Sequence, residues 1–215
     1  DINIDKEIKF LKTHHINCKI DNNQFTDLKN TLGVIHIVRD PRNVITSLKN
    51  HYSKKDYFEA YDFISDPLHC IDIENKSHLK LKKEMILNTL ISSWNNHYNS
   101  WKNFSNNYLL IKYEDLENYP QETFEKLINF LKLNLKIKIK TNEISEIIKL
   151  NSFESLRKIE LNNGFKEASI NENNKKNKFF YLGPMNKWEN LLSKDIKKKI
   201  EITFEKEMKD LGYLS

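Results

Sequence analysis

The chain has few of the residues that build tight phosphate-binding turns. Its four glycines among 215 residues never have the spacing G-x-x-x-x-G-K-[ST] or G-x-G-x-x-G, which excludes a Walker-type loop and a dinucleotide-binding turn from this stretch. The two cysteines, Cys18 and Cys70, lack zinc-ligand spacing and any secretory context, so they are expected to be free thiols of a reducing compartment. There is also no G-x-S-x-G elbow, the mark of an α/β-hydrolase nucleophile.

Long apolar runs and a signal peptide are also absent, so we expect a cytoplasmic protein with no membrane span. The net charge is +5, and the lysines are scattered rather than clustered on one segment, which argues against a nucleic-acid partner. A small anionic ligand remains compatible with this charge.

Three short apolar runs alternate with helical patterns. Runs of this length suit buried parallel strands, and the alternation predicts an α/β fold: a single domain with a mainly parallel β-sheet flanked by helices. The predicted strands are Ile8–Leu11, Val34–Val38 and Tyr108–Ile111. The predicted helices are Pro41 to about His51, Glu84–Phe104, a helix from Pro120, and Ser193–Leu211.

Each apolar run ends in a polar cluster, and ligands of open α/β sheets bind beyond the carboxyl ends of the strands. Arg39 stands at one such end, in a chain with only three arginines. A guanidinium matches the oxygens of a phosphate in pairs, which an ammonium cannot do. We expect an anion at Arg39, with Ser47 and the free N–H groups of the following helix as further donors. The alternative is a structural ion pair of Arg39 with Asp40 or Asp115, and Arg42 is expected to have a surface or supporting role.

His14 is the candidate for acid–base chemistry, because its ordinary pKa lies near neutrality and it follows a predicted strand beside Lys12. His15 is its rival. His36, within a predicted strand, and His97, on an aromatic helix, are expected to be structural, and Trp94 and Trp101 are expected in the core.

Five sequence elements, in order, resemble the sulfotransferases that use 3′-phosphoadenosine 5′-phosphosulfate (PAPS). The elements are KTHH at Lys12–His15, VIHIVRDPRNVITSLKNHY at Val34–Tyr52, SWNNHYNSW at Ser93–Trp101 followed by YLLIKYED at Tyr108–Asp115, NSFESLR at Asn151–Arg157, and FFYLGPMNKW at Phe179–Trp188. The resemblance implies a P-loop NTPase-like sulfotransferase fold over residues 1–215, with PAPS as co-substrate and no metal.

The resemblance also implies roles for individual residues. His14, with Lys12, matches the catalytic K-T-H element, and His14 would deprotonate the acceptor. Arg39 and Ser47 match the ligands of the 3′-phosphate. Residues near the rest of the nucleotide would be Tyr113, Ser152, Phe153 and Gly183.

The chain departs from the family pattern in the last element. Tyr181 and Leu182 stand where the family has Arg and Lys, and Lys187 stands in place of Asp. Lysines of the predicted mobile loop 162–178 would have to replace the lost donors. The family's first strand and phosphosulfate-binding loop are expected upstream of residue 1, so we expect this chain alone to transfer poorly.

Three functions are compatible with these observations. The first is a sulfotransferase acting on a hydroxyl or amine of a small-molecule or carbohydrate acceptor. The second is a catalytically impaired sulfotransferase-like binding or scaffold domain. The third is a phosphoryl transferase, which would need a Walker-type loop and metal-binding acids. The acceptor and the oligomeric state stay open.

Overall fold

The structure, a computed structural model, describes residues 8–71, 89–102, 104, 106–137, 143–171 and 175–215. The chain divides into two compact units. The first contains Asp1–Val34 and Phe63–Tyr108, and the second contains Ile35–Asp62 and Leu109–Ser215.

The described strands are short. They are β1 (Lys19–Ile20), β2 (Asn23–Gln24), β3 (Val34–Val38), β4 (Cys70–Ile71), β5 (Thr89–Leu90) and β6 (Tyr108–Lys112). The α-helices are α1 (Pro41–His51), α2 (Tyr57–Ser65), α3 (Trp94–Lys102), α4 (Tyr113–Asn118), α5 (Pro120–Asn129), α6 (Ile144–Leu150), α7 (Phe153–Asn163), α8 (Trp188–Leu191), α9 (Lys194–Thr203) and α10 (Glu205–Asp210). A π-helical turn, Phe130–Asn134, continues α5, and a 3₁₀ turn spans Gly183–Met185.

Strands β3 and β6 pair in parallel, and a helix follows each of them directly, which confirms the predicted α/β fold. The predicted strand Ile8–Leu11 is wrong: residues 8–11 have no regular structure, and the side chains of Ile8, Phe10 and Leu11 are exposed. A short apolar run becomes a strand only where a neighbouring strand completes its backbone hydrogen bonds.

Helix α1 has the predicted bounds because its end signals are local. Asp40 caps it, with Oδ1 accepting the N–H of Arg42 at 2.9 Å, and Pro41 takes the first helical position, where no N–H is needed. The helix predicted over Glu84–Phe104 is shorter: within its described part, Thr89–Leu90 form β5 and helix α3 covers only Trp94–Lys102. The predicted helix Ser193–Leu211 is interrupted at Phe204, between α9 and α10.

The core of the second unit lies under α1, α9 and α10. Its completely buried side chains include Ile45, Ile196, Ile200, Phe204 and Met208. A second apolar cluster covers the β3–β6 sheet, where Ile35 and Leu109 pack against Phe130, Leu131 and Leu135. The turn that follows α5 therefore packs on the sheet whose strand ends carry the candidate site.

The first unit is organised around α3. Its Trp101 is buried as predicted, and Trp94 is half-buried and stacks on Tyr98 with ring centroids 6.5 Å apart. The described part of this unit also contains two antiparallel pairs, β1–β2 and β4–β5.

The described part of segment 162–178 carries specific hydrogen bonds. The side-chain amide of Asn177 donates to the Asn50 carbonyl at 3.0 Å and to Ser53 Oγ at 2.8 Å. The mobility of this segment stays a prediction. Among the described residues, no helix combines the length and the apolar character needed to cross a bilayer.

Candidate functional site

Arg39 and Tyr113 lie together at the carboxyl ends of the parallel strands. Arg39 follows β3 and Tyr113 follows β6, and the guanidinium carbon of Arg39 is 4.1 Å from the centroid of the Tyr113 ring. A guanidinium stacked on an aromatic face keeps its edge N–H groups directed outward from the ring. The geometry therefore supplies a planar cation at the predicted edge of the sheet.

Carboxylates surround this pair. Burial raises the pKa of Tyr113, Glu117 and Glu114 raise it further, and only Arg39 acts against them. Burial likewise raises the pKa of Glu117, while the charge of Arg39 and a hydrogen bond from the Tyr113 hydroxyl lower it. Tyr113 consequently stays protonated at neutral pH, and Glu117 balances part of the Arg39 charge.

Arg42 is buried, so the expected surface role is wrong. Its contacts agree with the expected supporting role. Its side chain is 6% exposed. Its Nη2 donates to Asp40 Oδ2 at 2.6 Å and to the Tyr213 carbonyl at 3.0 Å, and its Nη1 donates to Glu201 Oε1 at 2.6 Å. The guanidinium also lies 4.0 Å from the centroid of the Trp188 ring.

The charge of Arg42 is stabilised despite its burial. Burial lowers the pKa of Arg42, but the hydrogen bonds and charges of Asp40 and Glu201 outweigh burial and raise it. The alternative expectation was an ion pair of Arg39 with Asp40 or Asp115. The Asp40 carboxylate pairs with Arg42 instead.

The N-terminus of α1 does not offer free N–H groups, which corrects the expectation that it helps to bind the anion. Pro41 has no N–H, the Arg42 N–H goes to the Asp40 carboxylate, and the N–H groups of Asn43 and Val44 donate to the Asp40 carbonyl at 2.9 Å. Asp40, which caps the helix, therefore occupies the N–H groups that an anion would need. The guanidinium of Arg39, stacked on Tyr113, is the candidate anion ligand at this strand end.

Phe153 and Gly183, two predicted nucleotide-binding residues, are in direct contact. A Cβ placed on Gly183 would lie 2.5 Å from the Phe153 ring, and Gly183 has a φ of +52°. Glycine is required here both by the left-handed backbone and by the close approach of the ring. Phe153 therefore packs closely against the backbone of Gly183.

A surface cavity of about 450 Å³ adjoins Phe153. Its lining includes Arg157, Lys158 and Leu182, and the Arg157 guanidinium lies 5.9 Å from the centroid of the Phe153 ring. Arg157 was missed from the sequence, although the criterion that selected Arg39, the rarity of arginine, applies to it equally.

Ser152 and Ser47, two further predicted ligands, lie at or within helices of the second unit. Ser152 caps α7, its Oγ accepting the Ser155 N–H at 3.3 Å. Ser47 is exposed on α1, and its role at the 3′-phosphate stays a prediction. Tyr181 is 49% exposed.

The candidate base lies in the first unit. His14 and Lys12 are exposed, whereas His15 is half-buried, with its Nδ1 2.6 Å from the Ile16 carbonyl oxygen and its ring stacked on Phe25 at 4.6 Å between centroids. His15 is therefore occupied by structural contacts, and His14 is the histidine of this pair that faces solvent.

Comparisons with known proteins agree on one family. The family described as Sulfotransferase domain matches residues 2–212. Cytosolic sulfotransferase 12 of Arabidopsis thaliana is 31% identical over 50% of this chain and 31% of its own length. Sulfotransferase 2A1 of Macaca fascicularis is 25% identical over 83% of this chain and 57% of its own length.

A solved structure shares the fold. Mouse sulfotransferase SULT7A1, crystallised as a complex with PAP, superposes with a TM-score of 0.56 at 19% identity, over 84% of this chain and 61% of that chain. The chain spans only part of the length of these relatives. The match along residues 2–212 shows that it belongs to the sulfotransferase domain family.

Proposed function

We propose that the protein transfers a sulfuryl group from PAPS to a hydroxyl or amine acceptor. The observation that carries the proposal is Arg39 stacked on Tyr113 at the ends of two parallel strands, in a chain of the sulfotransferase family. The acceptor is proposed to be a small molecule or a carbohydrate, and the location cytoplasmic, as the name of the Arabidopsis relative suggests.

Arg39 is proposed to bind the 3′-phosphate of the donor, with Ser47 as a second ligand. The mouse neighbour was solved with PAP, the adenosine 3′,5′-bisphosphate that transfer leaves behind. The residues present fit such a ligand: Arg39 supplies the paired N–H groups and Phe153, backed by Gly183, supplies an aromatic face for the adenine. Tyr113 holds the guanidinium, and Ser152 sets the start of α7.

His14 is proposed as the general base, with Lys12 beside it. As the acceptor oxygen forms its bond to sulfur, the bond from sulfur to the bridging oxygen of the donor breaks, and His14 takes the acceptor's proton. Adenosine 3′,5′-bisphosphate leaves with the electron pair of the broken bond. Positioning and cationic groups supply most of the rate enhancement in group transfers of this kind.

The test is a transfer assay on the full-length protein. PAPS carrying ³⁵S is incubated with phenol, sterol, carbohydrate and tyrosine-peptide acceptors, and label in the acceptor is counted. Label that requires both the protein and an acceptor supports the proposal, and its absence from a broad acceptor panel contradicts it.

A binding domain without catalysis is the second candidate, and one observation favours it. Leu182, at a position where the family has a basic residue, lines the cavity beside Phe153. Saturable binding of adenosine 3′,5′-bisphosphate with no transfer to any acceptor would select this candidate.

A further inference from the structure

Helix α3 carries three polar side chains on one face. His97, Ser100 and Trp101 are spaced by three and four residues, so they form a single stripe along the helix. This face is directed at segment 14–17, which contains the proposed base.

The stripe contacts the main chain of that segment at successive residues. A hydrogen bond with the main chain of His14 raises the pKa of the His97 ring. Trp101 Nε1 donates to the His15 carbonyl at 3.1 Å. Ser100 receives the N–H of Asn17 on its Oγ at 3.1 Å, and its carbonyl accepts the Asn17 side-chain amide at 3.2 Å.

The main chain of Ile16 is bonded to β5, and aromatic rings pack against His15. The Ile16 N–H donates to the Leu90 carbonyl at 2.9 Å. Phe25 stacks on His15 and meets the edge of Trp101 with centroids 5.9 Å apart. Residues 14–17 therefore each have a main-chain hydrogen bond to α3 or β5.

We propose that His97, Ser100 and Trp101 are positioning residues, which direct the His14 imidazole by fixing the main chain of residues 14–17. His15 is held between its carbonyl bond to Trp101 and the Phe25 ring, and His14 is the exposed member of the pair. The hydrogen bonds along residues 14–17 fix the backbone from which the His14 side chain extends. The inference rests on the proposed role of His14.

His97 performs this task as a neutral donor. Burial lowers the pKa of His97, and the neighbouring His14 and His15 lower it further, while the hydrogen bond with the His14 main chain acts in the opposite direction. A neutral imidazole still carries one N–H, so the contact persists at neutral pH.

The test compares conservative and disruptive changes in the full-length protein. Trp101→Phe keeps an aromatic ring of smaller size and removes the N–H donor together with the pyrrole half of the indole. His97→Ala removes the donor, and His97→Asn and His97→Gln each restore an N–H donor of different reach. We expect kcat to fall about tenfold or more in Trp101→Phe and His97→Ala, because small misplacements of a catalytic group are costly. The KM for PAPS stays within about twofold, and at least one carboxamide variant recovers most of kcat.

Asn96→Ala is the matched control on the same helix. Asn96 is exposed, and its side-chain amide donates to the Oγ of Ser92, just before α3. This variant should therefore retain wild-type kinetics. Unchanged kcat in both Trp101→Phe and His97→Ala would overturn the inference, as would an equal loss in Asn96→Ala.

A second readout does not depend on turnover. The ring Cε1–Hε1 resonance of His14, observed in ¹H–¹³C spectra of the folded protein, should shift or broaden in Trp101→Phe and not in Asn96→Ala. An unperturbed His14 signal in Trp101→Phe overturns the positioning role. Absence of transfer by the wild-type protein, with the His14 signal perturbed as expected, would instead reject the proposed function and leave the structural inference standing.

Discussion

At the scale of residues, Arg39 and Arg42 lie three positions apart and have opposite surroundings. Arg42 is enclosed by Asp40, Glu201 and Trp188, whereas Arg39 is half-buried on the ring of Tyr113. The rarity of arginine in this chain selected Arg39 as an anion ligand and left Arg42 with a surface or supporting role. It did not indicate which one was buried, because the partner Glu201 lies 159 residues away in the sequence.

Replacing Arg42 is expected to reduce stability. Arg42→Met leaves the buried Asp40 carboxylate without its charge partner, and breaking a buried pair in this way costs about 3–5 kcal/mol. Urea denaturation measures the loss. Arg39→Met, at a half-buried position, is the matched control and should lose clearly less; equal losses would contradict the account of Arg42.

Replacing the proposed base is expected to abolish turnover without affecting the nucleotide. His14→Ala should lower kcat about 10²–10⁴-fold, the usual range for a general base, while the dissociation constant of adenosine 3′,5′-bisphosphate stays the same. His15→Gln is the comparison variant. A larger kcat loss in His15→Gln than in His14→Ala would transfer the role of base to His15.

At the scale of elements, the turn containing Gly183 supports the ring of Phe153. Gly183→Ala would strain a backbone at φ +52° and push the added methyl into Phe153. We expect weaker binding of adenosine 3′,5′-bisphosphate, by about tenfold, corresponding to about 1.4 kcal/mol.

Gly164→Ala separates the two effects of that substitution. Gly164 has a comparable φ of +72°, but nothing lies within 4 Å of a Cβ placed there. With a ψ of 175° it lies in a region that glycine alone populates readily, so Gly164→Ala should incur backbone strain of about 1–3 kcal/mol and leave nucleotide binding unchanged. Equal weakening in both variants, measured by calorimetry, would show that the ring contact is not what matters.

Elements with local end signals were predictable, and others were not. Helix α1 begins at Asp40-Pro41 and ends where expected, since capping is encoded in neighbouring residues. Ile8–Leu11 was assigned to a strand on apolar character alone, and pairing partners cannot be read from such a run. The break at Phe204 also has no local helix breaker, and this side chain is completely buried in the core.

At the scale of the whole molecule, the candidate residues come from both compact units. Lys12 and His14 belong to the first unit, and the proposed nucleotide ligands belong to the second. Sequence reasoning reached Arg39 as a residue that follows a strand, and the family resemblance supplied the role of Tyr113. The roles assigned to Phe153 and Gly183 came from the family resemblance, and their direct contact required the fold.

Nucleotide binding is expected to stabilise the protein against heat. At a concentration 100 times its dissociation constant, adenosine 3′,5′-bisphosphate should add about 2.7 kcal/mol to the free energy of unfolding. Adenosine 5′-monophosphate, which lacks the 3′-phosphate, should shift Tm clearly less at the same concentration. Equal shifts in differential scanning fluorimetry would argue against recognition of the 3′-phosphate.

The most direct measurement for the central claim is calorimetric titration of adenosine 3′,5′-bisphosphate into the wild-type protein, Arg39→Lys and Arg39→Ala. Arg39→Ala should lose about 10–100-fold in affinity, since a hydrogen bond to a charged group contributes about 1.5–3 kcal/mol. Arg39→Lys, which keeps the charge without the planar fork, should fall between the two. An Arg39→Ala protein that is folded and binds the nucleotide as tightly as the wild type would contradict the assignment of Arg39 to the 3′-phosphate.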